Sequence, residues 1–226
     1  MSTDPLAALD KASRGRLEVV LRLLAEERAS VSSVVDDRAW QVHVADSLTG
    51  LEVRELRDAS RIGDIGAGAG FPGLVLAVAL PEAQVDLIES VGRKCEFIRS
   101  AAEAAGIVNV RVLNARSEDI ARGEGREAYE AVTARAVGRL STLAELASPL
   151  LKPNGVLVAW KGKRDSEEED QLVNAGDALA MAPGQVLDVG DRAGSQHRHL
   201  HVIRKAGPTP PNLPRKPGIA KKRPKG

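Results

Sequence analysis

Apolar residues recur at three- and four-residue spacing through residues 5–28, at Leu6, Leu9, Leu17, Val20, Leu21 and Leu24. That period predicts an amphipathic helix, with a break expected near Ser13–Gly15. Residues 37–50 read as a second helix capped by Asp36 or Asp37. From about residue 60 the period changes. Short apolar strands are expected at 61–65, 84–88, 109–113, 129–134 and 155–160. Helical segments lie between them, near 72–80, 92–105, 117–121 and 139–150. Pro153–Asn154–Gly155 reads as a turn before the fifth strand. A further helix is expected over 166–180. Two last strands at 185–189 and 197–204 form a hairpin around Gly190, Asp191 and Gly194. This alternation predicts an α/β, Rossmann-like fold: a doubly wound, mostly parallel seven-stranded sheet with right-handed crossovers and N-terminal helices. The chain divides into an N-terminal helical element (1–55), a sheet domain (56–205) and an extended tail (206–226), where Gly and Pro replace helical periodicity.

Composition narrows the classes. The longest clean apolar run is Leu74 to Leu80, far short of the roughly 20 residues of a membrane-spanning helix. The start, MSTDPLAALDK, lacks a basic region followed by an apolar stretch, so no secretory leader is read there. One cysteine, Cys95, allows neither an internal disulfide nor a Cys-based zinc site. A reduced, cytoplasmic, monomeric protein without membrane contact is the expectation. The net charge is +1, yet residues 205–226 hold seven Lys or Arg and no acid. The other residues then carry 25 bases against 31 acids, a net of −6. An acidic body with a basic tail suits either a polyanionic partner or a solubilising terminus.

The strongest local signal is Asp64-Ile65-Gly66-Ala67-Gly68-Ala69-Gly70-Phe71-Pro72-Gly73, between a strand and a helix. Glycines let the backbone turn tightly and approach a ligand closely. Glu89 ends the next strand, 23 residues after Gly66, where an acid can accept from both hydroxyls of a ribose. The dinucleotide fingerprint needs a third Gly where Phe71 stands, and no Lys-Ser/Thr follows to make a P-loop. D-x-G-x-G-x-G with an acid closing the next strand is instead the S-adenosylmethionine pattern. Asp64, Gly66, Gly68 and Glu89 are therefore the candidate cofactor residues. The closing hairpin, with one strand antiparallel, is typical of methyltransferases.

The stretch DIGAGAGFPGLVLAVALPEAQVDLIESVGRKCEFIR resembles the core of the glucose-inhibited division protein B family, the 16S ribosomal RNA guanine-N7 methyltransferases. The likeness rests on GFPG (70–73), IESVGRKCEFI (88–98), ARSED (115–119), TARAVGRL (133–140) and LLKPNGVLVAWKGK (150–163). HVADS (43–47) upstream and NLPRKPGIAKKRP (212–224) at the end extend it. It implies that Gly66, Phe71, Ser117, Glu118 and Arg135 contact S-adenosylmethionine. It implies a substrate in 16S ribosomal RNA or the small ribosomal subunit, at guanine 527 of the 530 loop. The same fold acting on a small molecule or another RNA, and a non-catalytic RNA-binding module, are the competing readings.

Guanine N7 carries a free lone pair and no proton at neutral pH. Its methylation needs no general base, so no catalytic residue is expected. Alignment and exclusion of water can supply the rate. His43 and Asp46 share a helix face, either lining the substrate cleft or making a structural contact. Lys161 and Lys163 follow the fifth strand and either hold phosphates or are solvated. In the tail Arg215, Lys216, Lys221, Lys222 and Arg223 are further RNA candidates; removing 208–226 is expected to weaken RNA binding and leave cofactor binding intact. His197, His199 and His201 alternate on a strand, but methyl transfer needs no metal and none is expected. Cys95 reads as a packed residue, and Glu167–Asp170 as a solvated helix start.

Overall fold

The computed structural model describes residues 5–27, 38–190 and 197–226. One 3₁₀ turn (Pro5–Ala8) precedes α1 (Lys11–Glu26), whose N-cap Asp10 accepts from the Ser13 amide. The break therefore falls at Leu9–Asp10, and Ser13–Gly15 lie inside the helix: the Asp10 cap makes a better start than Gly15 makes a stop. α1 buries Leu17, Val20 and Leu24 against the sheet's helical layer, about 1.5–3 kcal/mol for each side chain.

The second helical run is not regular. A π-helical turn (Trp40–Ala45) passes into α2 (Asp46–Leu48), a 3₁₀ turn (Thr49–Glu52) and α3 (Arg54–Arg57). Asp36 and Asp37 lie outside the described residues, so their capping role has no structural counterpart here.

The sheet follows as β1 (Arg61–Ile65), α4 (Gly73–Ala79), β2 (Gln84–Glu89), α5 (Gly92–Ala104), β3 (Val110–Asn114), α6 (Ser117–Ile120) and β4 (Tyr129–Arg135). It continues with α7 (Leu140–Ala147), β5 (Leu151–Lys161), α8 (Ser166–Leu179), β6 (Met181–Asp188) and β7 (His199–Lys205). Its order is β3-β2-β1-β4-β5-β7-β6, with β7 inserted antiparallel between β5 and β6. The doubly wound sheet reverses between β1 and β4, the switch point where such sheets bind ligands at their carboxyl edge.

Two local expectations change. Pro153–Asn154–Gly155 sits within β5 as an irregularity, not before it: the pairing jumps from Tyr129↔Leu151 to Ala131↔Val156, and Asn154 takes a φ of 68°. β6 begins at Met181, ahead of the expected 185, because Ala182 and Pro183 already pair with β7. Asp191 and Gly194 of the expected turn lie outside the described residues.

The tail does not project as a free arm. It is irregular but for the single turn α9 (Ile219–Lys222), and Leu213 and Ala220 are buried against the body. Lys205, counted with the basic tail, ends β7 fully buried, its ammonium held by the Ser148 carbonyl and Thr209 Oγ1.

Trp160 of β5 locks the N-terminal helices to the sheet. Its indole N–H donates to the Asp46 carbonyl at 2.8 Å, and its ring fills the space beside Gly50. A Cβ on Gly50 would stand 2.6 Å from the Trp160 ring. Gly50→Ala is expected to destabilise the protein by about 1–3 kcal/mol through overpacking. Urea unfolding followed by circular dichroism reads this, and an unshifted midpoint would refute the contact.

Candidate cofactor cleft

Asp64, the penultimate residue of β1, is fully buried. Thr133 Oγ1 of β4 donates to its Oδ1 at 2.8 Å, and the Gly73 N–H at the start of α4 donates to its Oδ2 at 3.0 Å. The carboxylate thus ties two neighbouring strands to the first turn of the crossover helix. Burial pushes its pKa up to about 7, against the opposing pull of the Thr133 and Gly73 donors.

The loop between is shaped by its glycines. Gly66, Gly68 and Gly70 all have positive φ, at 66°, 61° and 92°. At Gly66 a Cβ would also meet Val137 Cγ2 at 2.7 Å, so both conformation and space demand glycine. Glu89, at the end of β2, clasps the loop: the Gly68 N–H donates to Oε2 at 3.0 Å and the Val91 N–H to Oε1 at 2.8 Å. Each carboxylate oxygen keeps a lone pair for a further donor.

These groups open onto a cleft of about 360 Å³. Gly66 and Glu89 form one rim and Ser117 and Glu118 another. Ile65, Ile88, Val137 and Leu146 make apolar walls. An apolar slot ending on a carboxylate suits a purine nucleoside, with the base between the walls and the ribose hydroxyls on the acid. The donor set fits S-adenosylmethionine in that respect. The tail supplies the remaining side through Gly218, Ala220, Lys221 and Lys222. The tail therefore forms part of this cleft.

Four of the eight expected cofactor residues, Gly66, Glu89, Ser117 and Glu118, line the cleft. Asp64 and Gly68 stand behind it as the frame and hinge of the loop. Phe71 and Arg135 lie elsewhere, in a second cluster. The Phe71 ring stacks on His43 with centroids 4.6 Å apart, and the Arg135 guanidinium carbon lies 5.9 Å from the Phe71 centroid. Arg135 NH1 donates to Asp46 Oδ2 at 2.9 Å and to the Val42 carbonyl at 3.0 Å. That carbonyl belongs to the π-helical turn, whose wider winding leaves main-chain acceptors for outside donors. Arg198 Nε lies 2.8 Å from Asp46 Oδ1 as an ion pair outside hydrogen-bond geometry. Asp46 therefore joins one cation from β4 to another near β7, a role its sequence neighbourhood did not indicate.

The basic candidates separate into two groups. Lys161 is committed: it donates to Glu168 Oε1 at 2.7 Å and to the Gly138 carbonyl at 3.0 Å. Glu168 in turn accepts the Leu140 N–H at 2.6 Å, so it is a buried junction and not part of a solvated run. Arg215 is bound to Glu145 through both its Nε and NH2 at 2.5 Å. Lys163, Lys216, Lys221, Lys222 and Arg223 are exposed. His199 and His201 share β7 whereas His197 precedes it, and among the described residues no metal-binding cluster forms. Cys95 is buried in α5.

Residues 21–200 match the family model described as rRNA small subunit methyltransferase G. A relative of that name from Rubrobacter xylanophilus is 40% identical over 223 residues, 95% of this chain and 85% of the relative. Another, from Roseiflexus castenholzii, is 41% identical over 201 residues, covering 87% and 84%. Among solved structures, a SAM-dependent methyltransferase from Aquifex aeolicus aligns with TM-score 0.56 at 19% identity, over 75% of this chain and 93% of that one. The Methanococcus jannaschii fibrillarin pre-rRNA processing protein aligns with TM-score 0.56 at 16% identity, over 72% and 74%. At such identities these two establish the fold.

Asp64 sets a pH dependence. Its folded pKa is raised from 3.8 to about 7, so the folded state holds the proton more tightly than the unfolded one. Its contribution to stability is full below about pH 4 and is lost as pH rises through 7. Wild type should gain stability relative to Asp64→Asn as pH falls from 7 to 4, by up to a few kcal/mol at about 1.4 per unit of displacement. Parallel denaturant titrations across that range check it; a constant difference would refute the raised pKa.

Proposed function

The chain belongs to the rRNA small subunit methyltransferase G family, and from that premise we propose that it methylates N7 of a guanine in 16S rRNA, guanine 527 of the 530 loop. It is an S-adenosylmethionine-dependent methyltransferase of Rossmann-like fold. In this reading the cleft takes the adenosyl end, with the adenine between Ile65, Ile88, Val137 and Leu146 and the ribose on Glu89. The observation that carries it is the double grip of Glu89 on Gly68 and Val91, which fixes an acid at the mouth of an apolar slot.

The bound cofactor supplies an electrophilic methyl on a sulfonium. The chain's own residues position and shield the reacting groups. No residue need remove a proton from N7, and the carboxylate in the cluster around Arg135, Asp46, is hydrogen-bonded by Arg135 and ion-paired with Arg198. His43 and Phe71 stack, both largely buried, beside the partly buried Arg135 at the end of β4, and in this reading the guanidinium is what the cluster offers to a substrate base. Lys221 and Lys222 line the cleft, and they and the exposed Lys163, Lys216 and Arg223 offer phosphate contacts. No described helix is long and apolar enough to cross a membrane. A cytoplasmic monomer acting on the small subunit or its RNA is the setting we assign.

Transfer of labelled methyl to unmodified small-subunit particles, followed by mapping of the labelled base, tests the reading. Label at N7 of one guanine in the 530 loop is expected. Glu89→Ala should cut transfer at limiting cofactor at least tenfold, since each charge-assisted hydrogen bond is worth about 1.5–3 kcal/mol. No label on particles or free 16S RNA, with cofactor binding intact, would sink the substrate and favour a small molecule.

Salt dependence separates the basic residues. Lys163→Ala and Lys216→Ala should each lower the slope of log affinity against log salt by about 0.7–0.9. Lys161→Ala should leave the slope unchanged and reduce stability, because its charge is spent on Glu168. Unchanged slopes for Lys163 and Lys216 would remove them from the interface.

A further inference from the structure

The tail is fastened over the cleft at several points. Arg215 grips Glu145 of α7 through two nitrogens, and Glu145 is only 3% exposed. The Gly218 N–H donates to Glu118 Oε1 at 2.7 Å, inside the cleft wall. Arg122 NH2 holds the Arg215 carbonyl at 2.7 Å, and Arg126 NH1 the Leu213 carbonyl at 3.3 Å. Leu213 is buried as an apolar anchor just before the crossing. The charges that the composition offers to a partner are thus only partly free: one of them is the rivet of an intramolecular wall.

We propose that residues 213–222 are a closing wall of the cofactor cleft, held in place by the Arg215–Glu145 pair, and that these two residues position the cofactor without touching it. The proposal rests on the reading of the cleft as the S-adenosylmethionine site. Apparent affinity for a ligand that needs the docked form scales with the fraction docked. A segment of ten residues with one helical turn has little structure of its own, so its side-chain fastenings set that fraction. Reciprocally, a bound ligand must favour docking by the same factor. The tail then belongs to the cofactor site as well as to the surface offered to RNA.

The test uses the full-length chain and isothermal titration with S-adenosylhomocysteine, alongside amide hydrogen exchange. Arg215→Ala, and independently Leu213→Asp, a position outside the cleft lining, should weaken binding about tenfold or more. Both should speed exchange over 213–222 while leaving the sheet protected. Arg215→Lys, which keeps charge but not the two-pronged grip, should fall between. In wild type the ligand should slow exchange at Gly218. Affinity within twofold of wild type when exchange shows the tail undocked would overturn the wall. So would a tail that stays docked in both variants. Loss of affinity in Glu89→Ala with full retention in Leu213→Asp would keep the cleft reading and reject the wall alone. A wild-type chain that fails to bind would reject the cleft itself.

Discussion

A single buried carboxylate organises the ligand-binding edge of this protein. Asp64 has no cation beside it in hydrogen-bond contact; two neutral donors, the Thr133 hydroxyl and the Gly73 amide, are its partners. Charge in such a place is costly unless hydrogen-bonded. What the arrangement secures is position. β1, β4 and the start of α4 are pinned to one another, and the eight residues between Asp64 and Gly73 must turn within a fixed span. Glu89 then takes up the loop from the adjacent strand. Strand pairing, loop conformation and cleft shape all follow from two acids placed one strand apart.

The sheet was legible in the sequence because its signal is local. Alternation of apolar strands and helices needs no knowledge of distant partners, and the first four strands begin within a residue of where the pattern puts them. The places of Gly66 and Glu89 beside the cleft were legible from the glycine loop and the acid closing the next strand, whereas Ser117 and Glu118, at the start of α6, came only from the family resemblance. Misplaced details are those decided by tertiary contact. The irregular winding at Trp40–Ala45 answers to Arg135, 93 residues beyond Val42. Phe71 and Arg135 were grouped with the cofactor residues, but packing gathers them with His43 and Asp46.

Charge was the least readable property. Lys161 and Lys163 are two residues apart in one motif, and Arg215 and Lys216 are adjacent. In each pair one member is locked to a buried glutamate and the other faces solvent. Counting bases cannot separate them, because the deciding partner, Glu168 or Glu145, lies on a helix whose approach depends on the whole sheet. The buried Lys205 makes the same point: it belongs to the tail by composition and to the core by structure. The acidic body and basic tail are therefore not two independent charge clouds. Part of each is consumed in joining one to the other.

The indole of Trp160 has a separate consequence. It is one of two tryptophans in the chain, it is almost fully buried, and its N–H is spent on a main-chain carbonyl of the N-terminal helices. Its ring thus stands at the joint between the helical cap and the sheet, in a dry and asymmetric surrounding. The emission of such an indole shifts when water reaches it. The protein carries its own optical gauge of whether that joint is closed, readable without any label and without the methyl-transfer reaction having to run.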